Sequence, residues 1–233
     1  MQYKKTVRAL FQSRPNRFIA HVLLFGKTET VHVKNTGRCK ELLIPGCTVI
    51  LAEADTPGRK TKYDLIAVYK TRPGLPPLLV NMDSVAPNEA AAQWLPKSGL
   101  FSPEAVIRRE VQNGASRFDF CICDRGVTTF LEVKGVTLEE NGTVRFPDAP
   151  TERGVRHLRH LAELRRAGHG AAVLFVIQMA GMRRFCPNDE MHRAFGDALR
   201  EAANAGVTVL AMECAVTEDS MEITAPVPVE LGE

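Results

Sequence analysis

Hydrophobic and polar positions along this chain follow two different periods. In the first third the period is two. Phe18 to Phe25 forms an apolar run that stops at Gly26-Lys27, and Thr28 to Lys34 alternates through Val31 and Val33. Further strands are predicted at residues 48–52, 63–69 and 78–80, giving about five strands and no long helix before residue 82. Asn35 to Gly46 reads as a turn, a short helical segment and a stop at Pro45-Gly46. Beyond residue 82 the helical period enters. Helices are predicted at 88–94, ending before Pro96; at 103–114, with Ser102 as N-cap and Gly114 past the end; at 151–167, capped by Thr151 and closed by Gly168; and at 189–205. Strands are expected at 118–123, 131–134, 171–179 and 207–214, with the tail through Pro226 and Pro228 as an edge extension. Helices set between strands make this half a mixed α/β layer.

Charge divides the chain at the same place. Residues 1–82 carry 14 Lys/Arg against 5 Asp/Glu, whereas residues 83–233 carry 16 against 22, so a net +3 conceals a basic first third and an acidic remainder. Two domains follow: 1–82, a small barrel of the OB type suited to a polyanion, and 83–233, an α/β domain that opens on a connector at 83–100. Arg38 and Lys40, on the turn after the second run, are candidate phosphate contacts. Gly26-Lys27-Thr28 imitates the end of a phosphate-binding loop, but position 21 is His where that loop needs Gly, and the reading is rejected. No apolar run approaches a membrane span and no signal-peptide core follows Met1, so a cytoplasmic protein without membrane association is expected. Six cysteines without a C-x-x-C pair read as reduced thiols.

The chemistry is concentrated in residues 102–134. Glu110 falls in the apolar stripe of the predicted helix with Val106, Ile107 and Val111, where a carboxylate is costly without a cation or donors. In the hairpin that follows, Asp119 alternates with Phe118 and Phe120, and Glu132 and Lys134 alternate with Leu131 and Val133. A loop at 124–127 sets Asp119 opposite Glu132; a three-residue loop would set it against Leu131 and mix charge with core. Glu110, Asp119, Glu132 and Lys134 are then expected to converge. Carboxylates with open positions suit Mg2+ or Mn2+, and a neighbouring lysine can orient a water.

This arrangement, D-x(12)-E-V-K behind a helical Glu, resembles the PD-(D/E)xK phosphodiesterase superfamily. The resemblance implies Asp119, Glu132 and Glu110 as metal ligands, Lys134 as the residue that positions water, and Gln178, just after the long buried strand, as a secondary pocket residue. Arg153 and Arg156, at the start of the 151–167 helix, are candidate phosphate contacts, because free N–H groups and positive charge add there. His157 and His160 lack a third ligand at suitable spacing and read as polar contacts.

Three separated motifs extend the likeness to nearly the whole chain: N-T-G-R-x-x-E-L-L-x-P-G at 35–46, E-V-K-G-V-T-L at 132–138 and F-P-D-A-x-T-x-R-G-x-x-H-L at 146–158. They resemble the sugar fermentation stimulation protein family (SfsA). That resemblance implies an OB-fold-like barrel followed by a restriction-endonuclease-like α/β domain, DNA binding, and regulation of sugar (maltose) metabolism genes. A Mg-dependent nuclease acting on DNA or RNA is the alternative. Monomer and homodimer both stay open.

Overall fold

The computed structural model describes residues 1–35, 37–54 and 58–232. The chain forms two compact units. The first takes Met1–Pro87 together with Gln178–Ala180 and Cys214–Glu222; the second takes Asn88–Ile177, Gly181–Glu213 and the remainder from Ile223. The division is discontinuous in sequence, so two short pieces far beyond residue 82 complete the first unit.

The first unit contains β1 (Thr6–Ser13), β2 (Ile19–Leu24), β3 (Lys27–Val33), β4 (Thr48–Glu53), β5 (Tyr63–Arg72) and β6 (Leu75–Asn81). They join in the order β3-β2-β1-β4-β5-β6, and a parallel pairing of His32 with Asp64 and Val33 with Leu65 ties β3 to β5. That extra pairing closes five strands into an OB-type barrel, which removes the exposed edges an open sheet would carry. Alternation builds it: Ala20, Val22 and Leu24 of β2 and Val31 and Val33 of β3 are buried, with more exposed residues between them. β1 has no counterpart among the strands expected from the sequence. Its inward set is only Ala9 and Phe11, while Leu10 points outward and is 44% exposed, so the period of two is weak.

The helical segment expected within 35–46 is a turn. Leu42 and Leu43 N–H groups both donate to the Cys39 carbonyl, at 3.2 and 2.9 Å, and no helix continues from them. Thr36 lies outside the described residues.

The second unit begins with most of α1 (Ala86–Trp94) and a short 3-10 turn at Leu95–Lys97. Next come β7 (Val106–Asn113), β8 (Ser116–Asp124), β9 (Val127–Val136), β10 (Leu138–Glu140), β11 (Thr143–Phe146) and α2 (Glu152–Arg166). The chain ends with β12 (Gly170–Ile177), β13 (Arg184–Pro187), α3 (Asp189–Asn204), β14 (Thr208–Val216) and β15 (Met221–Pro226). The main sheet runs β15-β14-β12-β9-β8-β7, with β12 parallel to both β9 and β14, and a small sheet β10-β11-β13 stands apart from it. β12 is central and buried along Ala171–Ile177, which is why its sequence is a continuous apolar run. Phe146, Phe175, Phe185 and Phe195 pack as one aromatic cluster, with Phe175 stacked on Phe185 at 4.1 Å. The Thr151 hydroxyl accepts the Gly154 N–H at 3.1 Å and so caps α2, as its sequence requires.

The helix expected at 103–114 is instead strand β7, the edge of a three-stranded meander. Val106, Ile107 and Val111 are β-branched and fit a pleated surface, and Gly114, at φ 51°, turns the chain directly into β8. Ser102 caps no helix; its hydroxyl and N–H donate to the Asp124 carboxylate at 2.5 and 3.0 Å.

Candidate active site

The hairpin register expected from the charges is the one observed. Cys123 pairs with Thr128 and Phe120 with Leu131. The ladder extends one pair further than expected, to Asp124 and Val127, leaving a two-residue turn at Arg125-Gly126 with φ 48° and 80°. Past Phe120 a side chain takes over from the backbone ladder. Asp119 Oδ2 accepts the Val133 N–H at 2.7 Å, and Oδ1 accepts from the Asn88 amide on α1 at 2.8 Å. Asp119 is thereby fixed from two elements beside Glu132.

Glu132 is the most enclosed member of the site, at 3% exposure. Its Oε1 accepts from Lys134 Nζ at 2.5 Å and from His157 Nδ1, on α2, at 2.6 Å. Its Oε2 is buried and has no hydrogen-bond partner among the described residues. Arg153 Nε donates to His157 Nε2 at 3.4 Å, which fixes the imidazole with its proton on Nδ1, directed at Glu132. Electrostatics divides the two carboxyls. Burial, followed by the charge of Glu132, raises the pKa of Asp119 above the ordinary range. Burial also works to raise Glu132, but the His157 hydrogen bond and the Lys134 ammonium outweigh it and hold the group below its ordinary value. The result is an ionised glutamate with one bare oxygen beside an aspartate that resists ionisation. A divalent cation would relieve both.

Glu110 does not join this cluster. It lies in β7 rather than on a helix, in the left-handed region at φ 55°, and its exposed carboxylate pairs with Arg117 Nε at 2.9 Å. The expectation of a third converging carboxylate is corrected accordingly: among the described residues no group of three or more His, Cys, Asp or Glu is arranged to hold a metal ion. Two helices reach the site instead, α2 through His157 and α1 through Asn88, with the neighbouring Glu89 bound by both terminal nitrogens of Arg109. Gln178 is also elsewhere. It belongs to the first unit, where its amide donates to Asn81 Oδ1 at 3.2 Å and to the Asp83 carbonyl at 3.1 Å, a satisfied buried amide rather than a pocket residue.

Arg153 and Arg156 are exposed on the first turns of α2. Beside them lies a cleft of about 580 Å³. Arg38 and Lys40 are exposed in the first unit, on a loop pinned by Arg14, whose guanidinium donates to the Asn35, Arg17 and Arg38 carbonyls.

Comparison with known proteins decides the family. Residues 85–220 match the model of the sugar fermentation stimulation protein RE domain, and residues 13–74 match that of the SfsA N-terminal OB domain. The chain belongs to the sugar fermentation stimulation protein family. A homolog of that name from Desulfitobacterium hafniense strain Y51 is 53% identical over 233 residues, the full length of both chains. One from Ruminiclostridium cellulolyticum is 49% identical over 231 residues, 99% of this chain and 100% of the relative. Among solved structures, Pyrococcus furiosus SfsA, described as in complex with Ca2+, superposes with a TM-score of 0.85 at 27% identity, covering 99% of this chain and 98% of the other.

Three further residues are placed by the structure where the sequence reading did not look. His157 reads as a polar contact, and nothing local names Glu132, 25 positions away, as its acceptor. Asn88 sits on a helix whose role shows only when the strands are paired. Phe25 has a legible signal. With Gly26 it forms the β2–β3 turn, both residues at positive φ (49° and 77°), and its ring is 82% exposed. A bulky residue is strained there, and Asn141-Gly142 makes the corresponding turn between β10 and β11 with the favoured Asn-Gly pair.

Proposed function

We propose that this protein binds nucleic acid and hydrolyses its phosphodiester bonds at Asp119, Glu132 and Lys134 with the help of a divalent cation. The observation that carries the proposal is the orphaned Glu132 Oε2. A buried carboxylate oxygen without a donor is costly, and the adjacent Asp119 is destabilised in its charged form, as expected of ligands waiting for a cation. Two hard oxygen donors fit Mg2+ or Mn2+, with water completing the shell. The Ca2+ complex of the archaeal relative supports the same donor chemistry, since Ca2+ also takes oxygen ligands.

When bound, the cation would act as a Lewis acid on a phosphoryl oxygen. The chain's own groups do the positioning. Asn88 and the Val133 N–H aim Asp119; His157 and Lys134 hold Oε1 of Glu132 and leave Oε2 directed elsewhere. Lys134 has two further N–H bonds for a phosphate oxygen or an attacking water. In the first unit, Arg38 and Lys40 supply charge for the polymer backbone and Phe25 a face for stacking a base, the two ingredients of single-strand binding by OB barrels. Regulation of sugar metabolism genes through DNA would need binding alone, and the buried pocket is more than binding requires.

The test is incubation of the pure protein with single- and double-stranded DNA and with RNA in Mg2+ or Mn2+, beside Glu132→Gln and Lys134→Ala. Cleavage by wild type that disappears in both variants is the expected result. Cleavage undiminished in Glu132→Gln, or none by wild type with either metal on any of these substrates, would overturn the catalytic reading.

A further inference from the structure

We propose that the second unit also holds a phosphomonoester pocket, in the cleft between the β7–β8 turn and the first three turns of α2. The cleft is about 580 Å³, within the size range of small-ligand sites. Arg117 lines one wall, Arg153, Arg156, Arg159 and His160 line the other, and His157 lies among them.

The fold gives no reason for this concentration of cations. Arg153, Arg156 and Arg159 repeat every third residue along α2, and like charges that neighbour one another on a helix face disfavour the helix. Arg153 and Arg156 also lie near the positive end of the helix dipole, which disfavours them further. Neither cost is offset by an ion pair. Arg109, Arg184 and Arg200 of the same unit are each bound to carboxylates, whereas none of the three α2 arginines has such a partner among the described residues. Glu163 is the cleft's own acidic group among those residues, and Glu110 partly neutralises Arg117. An anion placed here would meet guanidinium forks from two elements together.

The charges face one cavity from two sides, Arg117 from β8 and the arginines of α2 from the helix. Internal phosphodiesters carry a single charge each and are spread along a strand; a terminal phosphate or a free mononucleotide presents nearly two charges on one group. The convergent arrangement suits the latter. His157 belongs to both places, accepting from Arg153 on the cleft side and donating to Glu132 on the other. For a strand end, the inference deepens the phosphodiesterase reading and rests on it: an end phosphate seated here would make cleavage depend on end phosphorylation. The pocket's affinity for phosphate does not depend on that reading.

The test uses the full-length protein in EDTA, with labelled dT octamers bearing a 5′-phosphate, a 3′-phosphate or hydroxyls at both ends, and with deoxythymidine monophosphate as competitor. One end-phosphorylated octamer should bind about tenfold more tightly than the hydroxyl-ended one. The double change Arg156→Gln with Arg159→Gln should erase that difference, so that the three octamers bind alike, and, because both side chains are exposed, leave the thermal midpoint essentially unchanged. Competition by the mononucleotide without an end preference would support the pocket and assign it to free nucleotides. Equal binding of all three octamers with no competition, or a preference that survives the double change, would overturn the proposal. An intact end preference in a protein that fails to cleave would remove the phosphodiesterase reading alone.

Discussion

Glu132 and Asp119 show how one pair of carboxyls is pulled in opposite directions by its surroundings. Glu132 has a lysine and a histidine on one oxygen, and Asp119 has only neutral donors while facing the charge of Glu132. The pKa of Asp119 is raised on folding, so its ionised form opposes folding and stability falls as pH rises through that folded pKa. Asp119→Asn, which mimics the protonated state, should therefore raise the thermal midpoint in EDTA by a few degrees, about what 1 kcal/mol gives. The same change should abolish the stabilisation that added Ca2+ gives wild type, both read by differential scanning fluorimetry. A midpoint lowered by the change would contradict the electrostatic account. Asp64 behaves in the opposite sense. Burial works to raise it, but Arg59 and His32, at 2.7 and 2.9 Å, bring it below its ordinary value. Its contribution is present above the unfolded carboxylate pKa and is lost as pH falls through the lower folded value. Asp64→Asn should flatten that acid-side loss in a pH series of urea midpoints, and an unchanged pH profile would remove the pair from the account.

Elements illustrate which local signals are reliable. α2 is legible in the sequence because Thr151 caps it and Gly168, at φ 92°, follows its end. β7 is not, because Ser102-Pro103 imitates a helix start, while pairing with β8 outweighs local preference. The β2–β3 turn offers the clearest element-level prediction. Phe25→Asn gives the turn its favoured residue and removes an exposed ring, so it should stabilise the protein by about 0.5–1 kcal/mol. It should also weaken binding of single-stranded DNA by about 1–3 kcal/mol, roughly five- to 150-fold, if a base stacks on the ring. Fluorescence anisotropy with a labelled oligonucleotide measures the loss; unaltered affinity would leave Phe25 without a role in binding.

At the scale of the whole molecule the uneven charge dominates. If the first third, with 14 basic and 5 acidic residues, holds the nucleic acid proposed above, it does so by releasing counterions, and affinity should fall steeply with salt. A plot of log K against log salt should have a slope near −0.7 per phosphate neutralised on a single strand, and a flat response would remove the electrostatic account. Because this charge lies in the first unit and the carboxylate pocket in the second, Asp119→Asn should leave retention of DNA in EDTA nearly unchanged. Among the described residues no helix is long and apolar enough to cross a membrane.

The sequence by itself determined the elements whose preferences are local and strong. These are the barrel strands other than β1, with β2 and β3 marked by their period of two, the buried β12 from its unbroken apolar run, the capped α2, and the hairpin register that sets Asp119 beside Glu132. It also determined the family, because motifs spaced along the whole chain agree with one another. Only the tertiary structure decided what fills the space around those carboxyls. Asn88 in place of Glu110, His157 on the back of Glu132, and the removal of Gln178 to the first unit all depend on contacts between residues far apart in the chain. No local period records such contacts, because each side chain's partner is set by how the strands and helices pack.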